Sequence, residues 1–328
     1  MMEILTASAG SYPRIGSRPE QQRHRQAYAQ WERGELSDKG FERIQQEVTR
    51  EVIDEQVHAG LDVVTDGQVR WYDSISHFAR KLEGCEINGL LRFFDTNTYF
   101  RQPVVIGKIK RSEPILEEEF IFAKGVSPKP VKPVATGPYT LAKLSINRRG
   151  GDLASLVNEF AGVIAQETSA LSKAGADLIQ IDEPAILKSP KDFQMLEHAI
   201  EKIVAEKSGA RLLVHTYFGD ATPLYNKLVK LPVEVLGFDF TYSPKLPGTI
   251  GRLGCEKDLE LGLIDGRNTR LENEREVLDV LKKILPNIGS KRVYLTPSCG
   301  LGEYLPWEIA FKKLQNVVAI AKKARELI

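Results

Sequence analysis

Cysteine is nearly absent. The 328 residues hold three, Cys85, Cys255 and Cys299, and no two of them make a Cys-x-x-Cys pair. So sparse and odd a set excludes a disulfide framework and suits a reducing compartment, where a cysteine that matters is a ligand or a thiol. Charge of one sign is lacking as well. The 45 Lys+Arg against 44 Asp+Glu leave a net charge of +1, which argues against a general electrostatic grip on nucleic acid. No apolar run reaches the ~18 residues of a membrane span. The opening Met1-Met2-Glu3-Ile4-Leu5 has neither the basic start nor the apolar stretch of a signal peptide. Glycine-rich phosphate loops are missing too, since Gly262-Leu263-Ile264-Asp265-Gly266-Arg267-Asn268 carries only isolated glycines. These absences point to a cytoplasmic protein that acts on small molecules, with no membrane and no nucleic-acid partner.

What is present is ordinary for a globular chain, 42% hydrophobic and 27% charged. Short, β-branched apolar runs recur at 4–9, 61–65, 133–136, 177–181, 211–214, 235–238, 259–264 and 292–295, eight in all. Continuous rather than alternating runs suggest strands buried on both faces, as in a parallel sheet. The stretches between them, such as 153–174 and 305–327, space their apolar residues by three and four, as helices do. Eight strand-then-helix units predict an α/β fold, a (β/α)8 barrel spanning residues 1–328 as one domain. The gap between the second and third runs is long. Residues 67–132 end in a proline-rich stretch and hold alternating segments around 104–110 and 120–123, predicting an inserted hairpin or lid over the barrel mouth.

Barrels work at the C-terminal ends of their strands. Here those ends carry Ser11, Asp66, Gly137, Asp182 with Glu183, His215, Asp239, Asp265 with Arg267, and Cys299. Any one of them is explained as a cap or turn residue; together, on a barrel, they surround one cavity. Pro184 stops the strand after Glu183 and is expected to hold both carboxylates at the rim. Such a pair suits an ammonium group, a ring with several N–H donors, or acid–base work. His215, Asp239 and Cys299 are zinc-binding types, but they lie on separate strands without motif spacing, and a buried cysteine or a hydrogen-bonded core histidine explains them equally well. Arg14, Arg18, Arg23, His24 and Arg25 crowd the first loop and helix, as a solvated face or as an attraction for a polyanionic ligand tail.

Seven motifs resemble cobalamin-independent methionine synthase, in the family's order and over nearly the whole chain. They are Gly10-Ser11-Tyr12-Pro13-Arg14-Ile15-Gly16, Phe93-Phe94-Asp95-Thr96-Asn97, Gly137-Pro138-Tyr139-Thr140, Gln180-Ile181-Asp182-Glu183-Pro184, Thr216-Tyr217-Phe218-Gly219, Asp265-Gly266-Arg267-Asn268 and Pro297-Ser298-Cys299. The family's enzymes are two tandem barrels, and this chain has the length of one. The resemblance implies methyl transfer from a folate such as 5-methyltetrahydrofolate to the thiol of homocysteine, activated in the catalytic barrel as a zinc thiolate. Its zinc ligands are a His-x-Cys pair, a Glu and a second Cys. These fall at His215, Tyr217, Asp239 and Cys299, so the first cysteine is replaced by tyrosine, and the family's proton-donating histidine falls at Arg267. The Tyr-Phe-Gly, Phe-Asp-Thr-Asn and Gly-Arg-Asn motifs are those of the N-terminal barrel, whose basic residues help hold the folate tail. Arg18, Arg23 and Arg25 lie in that place.

Three readings follow from the resemblance. In the first, the chain methylates homocysteine, alone or as one chain of a split enzyme completed by a separate zinc-bearing barrel. His215, Cys299 and Asp239 would hold zinc, Asp182 would receive the substrate ammonium and Ser11 its carboxylate. Arg14, Arg18, Arg23 and Arg25 would bind the donor, while Asp182, Glu183, Asp265 and Arg267 would serve catalysis. In the second, the chain is a non-catalytic subunit that binds the folate or pterin or docks a methyl carrier. The third is another one-carbon transfer, or a decarboxylation, in a related barrel.

Overall fold

The computed structural model describes residues 2–290, 292–302 and 304–326. Among them the strands are β1 (Glu3–Thr6), β2 (Leu82–Arg92), β3 (Tyr99–Arg111), β4 (Val134–Thr136), β5 (Ile146–Asn147), β6 (Leu178–Asp182), β7 (Arg211–Thr216), β8 (Val235–Asp239), β9 (Asp258–Ile264) and β10 (Arg292–Pro297). Seven form one sheet in the order β1-β10-β9-β8-β7-β6-β4, and every pairing within it is parallel. The eighth place is taken by residues 61–65. They join the two edges through parallel bridges from Ala7 to Val63 and from Val64 to Val131. Hydrogen bonds from Val63 N to Thr6 O and from Lys132 N to Val64 O, at 3.0 and 2.8 Å, complete the ring. All eight apolar runs therefore take barrel positions.

Alternation along each strand sends every second residue inward, and the inward residues stack in three layers. The lowest is apolar, a cluster of Ala7, Val63, Leu178, Leu213, Val235 and Tyr294. Two residues further along each strand the interior turns polar, with Gln180, His215, Glu260, Thr296 and Lys132, all fully buried. A further step reaches Asp182, Tyr217 and Asp239 at the mouth. The outward residues belong to the larger core beneath the helices. Those helices start where the sequence supplies caps: the Ser37 hydroxyl accepts from Gly40 N, Asp152 from Ser155 N, and Asn273 from Arg275 N. Gly60, at φ 95°, ends the long helix Asp38–Ala59 in the left-handed conformation that glycine favours.

The long segment after residues 61–65 holds the antiparallel pair β2–β3. The alternating residues 104–110 lie in β3. Those around 120–123, expected to alternate as a strand, instead lie in the helix Glu117–Val126 and bury Phe120 and Ala123. At the hairpin tip Phe93 N donates to Thr98 O at 2.9 Å, and Phe94 is left-handed at φ 50°. Phe94 meets Phe218, also left-handed at φ 61°, with ring centroids 6.0 Å apart. Such conformations are costly for bulky residues and persist where packing dictates them. Here the packing fastens the tip over the loop after β7. None of the described helices is long and apolar enough to cross a membrane.

Candidate active site

The barrel mouth opens into a cavity lined by residues of the strand ends and of the hairpin. Its floor includes Ser11, Asp182, Tyr217 and Cys299, and its roof is the hairpin tip with Phe93 and Phe100. Across the opening the hydroxyls of Thr98 and Tyr304 stand 3.3 Å apart.

Asp182, at the end of β6, is the acid that the cavity exposes most usefully. Its Oδ1 accepts from Gln180 Nε2 at 2.7 Å and its Oδ2 from the Tyr217 hydroxyl at 3.2 Å. Burial pushes its carboxyl up to about 7, against the pull of these bonds. Asp73 also lines the cavity, but its oxygens accept from Ile75 N, Ser76 N, Ser76 Oγ and Arg101 N. The Ser11 hydroxyl accepts from Gly302 N at 3.2 Å. Gly300 allows this approach, since a Cβ there would come within 2.3 Å of Ser11 Oγ.

Glu183 is not at the rim. It is fully buried, and it accepts from Tyr139 N, Thr140 N and the Thr140 hydroxyl at 2.9, 2.8 and 2.6 Å. The acidic pair divides because neighbours on a strand face opposite ways. Asp182 points into the barrel, and Glu183 points out to cap the helix Pro138–Leu144. Asp265 and Arg267 are likewise outside the cavity lining. Asp265 accepts from Arg267 N and Asn268 Nδ2 at 2.9 and 2.6 Å. Arg267 donates to Thr241 Oγ1 at 2.7 Å and lies 4.0 Å over the Tyr242 ring. Both side chains brace the loop after β9.

The residues expected to hold zinc do not assemble a metal centre. Among the described residues no group of three or more His, Cys, Asp or Glu side chains gathers as a metal site. Asp239 is spent on local turns, with Oδ1 accepting from Thr241 N and Tyr242 N and Oδ2 from Phe218 N. Tyr217 gives its hydroxyl to Asp182. The Cys299 thiol is buried, and its burial and the nearby Asp239 push it well above its usual range. His215 is fully buried behind Asp182. Its Nδ1 lies 3.2 Å from Gln180 Nε2 and 3.8 Å from both Asp182 Oδ1 and Glu260 Oε1. Its Nε2 has no hydrogen-bond partner among the described residues. Burial, with the Lys132 charge, lowers its pKa to about 3, so the ring is neutral. One unpartnered nitrogen does not make a four-ligand site, and the residues present do not fit zinc.

The basic residues of the first loop and helix also separate. The Arg14 guanidinium donates to the carbonyls of Gln68, Val69 and Trp71, clamping the loop that forms one cavity wall. Arg18 pairs with Glu20 and Glu308, and Arg23 with Glu47 and Glu51. Arg25 is exposed, with no ion pair or side-chain hydrogen bond among the described residues. The sequence reading missed Tyr72 and Tyr304, which line the cavity. It also missed the buried middle layer of Lys132, Gln180 and Glu260. A polar residue inside an apolar strand run, as at Gln180 and Glu260, was the available signal.

A parallel (β/α)8 barrel with one polar cavity at its strand ends is the layout of a barrel enzyme. The model of the cobalamin-independent synthase family, catalytic domain, matches residues 9–323, and the chain belongs to that family. A methionine synthase of Saccharolobus solfataricus is 33% identical over 317 residues, covering 95% of this chain and 94% of its own length. One from Sulfurisphaera tokodaii is 34% identical over 319 residues, covering 95% and 91%. Among solved structures, a B12-independent methionine synthase from Shewanella sp. W3-18-1, in complex with selenomethionine, superposes with a TM-score of 0.82 at 22% identity over 98% of both chains. A counterpart from Listeria monocytogenes gives 0.76 at 19% identity over 96% of each; at these identities the likeness is one of fold. The matched model is that of the catalytic domain, although several motifs had pointed to the N-terminal barrel. By the resemblance the chain carries marks of both, with His215 and Cys299 falling on ligands of the catalytic barrel and Tyr217 on its first cysteine.

Proposed function

We propose that this chain transfers a methyl group to the thiol of homocysteine, giving methionine, with the amino acid seated in the cavity at the barrel mouth. The placement of Asp182 carries the reading. It is a buried acid at the cavity floor, near Ser11 and beneath an aromatic roof. Asp182 receives the substrate ammonium, which favours the ionised carboxylate, and Ser11 receives the substrate carboxylate. The rings of Phe93, Tyr217 and Phe218 leave an apolar lane for the methylene chain. In the transfer a carbon–sulfur bond forms as the methyl carbon leaves the donor. The donor keeps the bonding pair; with a folate, the nitrogen that carried the methyl group gains a proton in its place, balancing the proton that the thiol gives up. The donor is a folate such as 5-methyltetrahydrofolate, or another methyl carrier, entering beside Tyr72 and Tyr99. Relatives that match this chain along nearly their whole length and bear the name methionine synthase support action as a single barrel.

A second reading is favoured by one observation, Tyr217 in place of a metal-binding thiolate. In it this chain is the substrate-binding member of a split enzyme, and a separate zinc-bearing barrel completes the site. One experiment tests both. Purified chain is incubated with homocysteine and 5-methyltetrahydrofolate, and methionine is measured by mass spectrometry beside an Asp182→Asn control. Methionine from the chain alone, sharply reduced in the control at low homocysteine, supports the first reading. Methionine only after a zinc-bearing barrel protein is added supports the second, and none in either case overturns both.

A further inference from the structure

We infer that the cleft between the helices Arg23–Glu32 and Asp38–Ala59 and the 68–72 loop is a second ligand site. Its ligand would be a small planar aromatic ring with a hydroxyl or amino donor at one end and a carboxylate at the other. The cleft is lined by Tyr28, Phe41, Trp71 and Tyr72. Its walls are aromatic: the Tyr28 ring lies 5.9 Å from Phe41 and 5.5 Å from Tyr72. Such walls favour a flat ring packed edge to face or offset.

Two polar groups give the ligand its ends. His24 lines the cleft yet is only 7% exposed. It hydrogen-bonds the Val69 backbone, and burial with the Arg14 charge lowers its pKa to about 4, so the ring is neutral. Its Nε2 has no partner among the described residues, and a buried acceptor without one is costly. A hydroxyl or amino group reaching inward would satisfy it. Arg25 also lines the cleft and is exposed. Arg18 and Arg23 are matched by glutamates, whereas Arg25 has no such partner among the described residues. An unmatched guanidinium beside an aromatic slot suits a carboxylate. Arg14 and Tyr72 border both this cleft and the barrel cavity, so the two sites are neighbours with a shared wall.

Calorimetry on the full chain tests this with 4-hydroxybenzoate as the probe, beside 4-methoxybenzoate, which lacks the donor, and 4-hydroxybenzamide, which lacks the charge. We expect 4-hydroxybenzoate to bind, and each altered probe to bind roughly fivefold more weakly or worse, the loss of about one hydrogen bond. Arg25→Gln, a surface change, weakens 4-hydroxybenzoate to a similar degree, and Asp182→Asn in the barrel cavity leaves its affinity unchanged. No measurable heat with 4-hydroxybenzoate overturns the inference. So does equal affinity for the three probes, an unchanged Arg25→Gln, or loss of binding in Asp182→Asn, which would put the probe in the barrel cavity instead.

Discussion

The Tyr217 hydroxyl donates to the Asp182 carboxylate at 3.2 Å, so the side chain that the resemblance sets against the family's first cysteine ligand is turned toward the acid on the cavity floor. If Asp182 holds the substrate ammonium, Asp182→Asn removes a charged hydrogen bond. The expected effect is a KM for homocysteine higher by about 30-fold, from roughly 2 kcal/mol. Tyr217→Phe removes one neutral donor, and about fivefold is expected. Burial raises the Asp182 carboxyl to about 7, and only the ionised form attracts an ammonium. In the wild type kcat/KM therefore falls as pH drops through about 7, and this limb is absent in Asp182→Asn. Steady-state kinetics between pH 5.5 and 8.5, on the order of the range a raised carboxyl covers, give both readouts.

Zinc content separates this chain from a four-ligand site. Asp239 is occupied by its own turns and Tyr217 by Asp182, so purified untagged protein is expected to hold far less than one zinc per chain. Cys299→Ser is expected to leave that content unchanged, because one ligand among absent partners contributes little. Elemental mass spectrometry measures this directly. Near-stoichiometric zinc that disappears in Cys299→Ser would mean that the loops after β7 and β8 rearrange to bring the ligands together.

Glu183 couples stability to pH through a helix cap. Its carboxyl is raised from 4.5 to about 7, chiefly by burial and in spite of the bonds from Thr140 and Tyr139. A raised carboxyl binds more protons folded than unfolded between those values. Its contribution is therefore fully present below about 4.5 and is lost as pH rises through about 7. Glu183→Gln, which keeps an acceptor for the cap, should flatten the fall in melting temperature across that window. Glu183→Ala leaves buried donors unpaired and should cost about 2–3 kcal/mol at any pH. Thermal melts of the three proteins at several pH values decide it.

The barrel was legible because buried parallel strands read as unbroken apolar runs. The run expected at 177–181 is the strand Leu178–Asp182, and that at 259–264 is Asp258–Ile264. Even 61–65, joined only by bridges, is marked by its own run. Less legible was the direction in which polar neighbours point. Asp182 and Glu183 are adjacent in sequence, yet one meets the cavity and the other a helix end, and only the strand's register decides which. Residues 120–123 misled because three bulky apolar positions in a row fit a half-buried helix as well as a strand. The fates of Arg18 and Arg23 depended on glutamates as distant as Glu308, which no local pattern connects to them.

The middle layer of the barrel yields a prediction that bears on the whole site. Lys132 Nζ donates to Glu260 Oε2 at 2.5 Å with both side chains fully buried, and Glu260 Oε1 lies 3.8 Å from His215 Nδ1. His215, Gly237 and Glu260 occupy one register row across β7, β8 and β9. Gly237 leaves room between them, since a Cβ there would come within 2.8 Å of the His215 ring. Removing one member of a buried ion pair strands the other, at about 3–5 kcal/mol, so Glu260→Ala and Lys132→Ala are each expected to be severely destabilising. Replacing both, as Lys132→Met with Glu260→Gln, removes the charge together with its partner and should cost much less than the sum of the single changes. Gly237→Ala keeps the pair but crowds the ring, and about 1–3 kcal/mol is expected. Urea denaturation of the four variants checks the ordering. Additive losses in the double variant would mean that the pair is not the unit that holds this layer together.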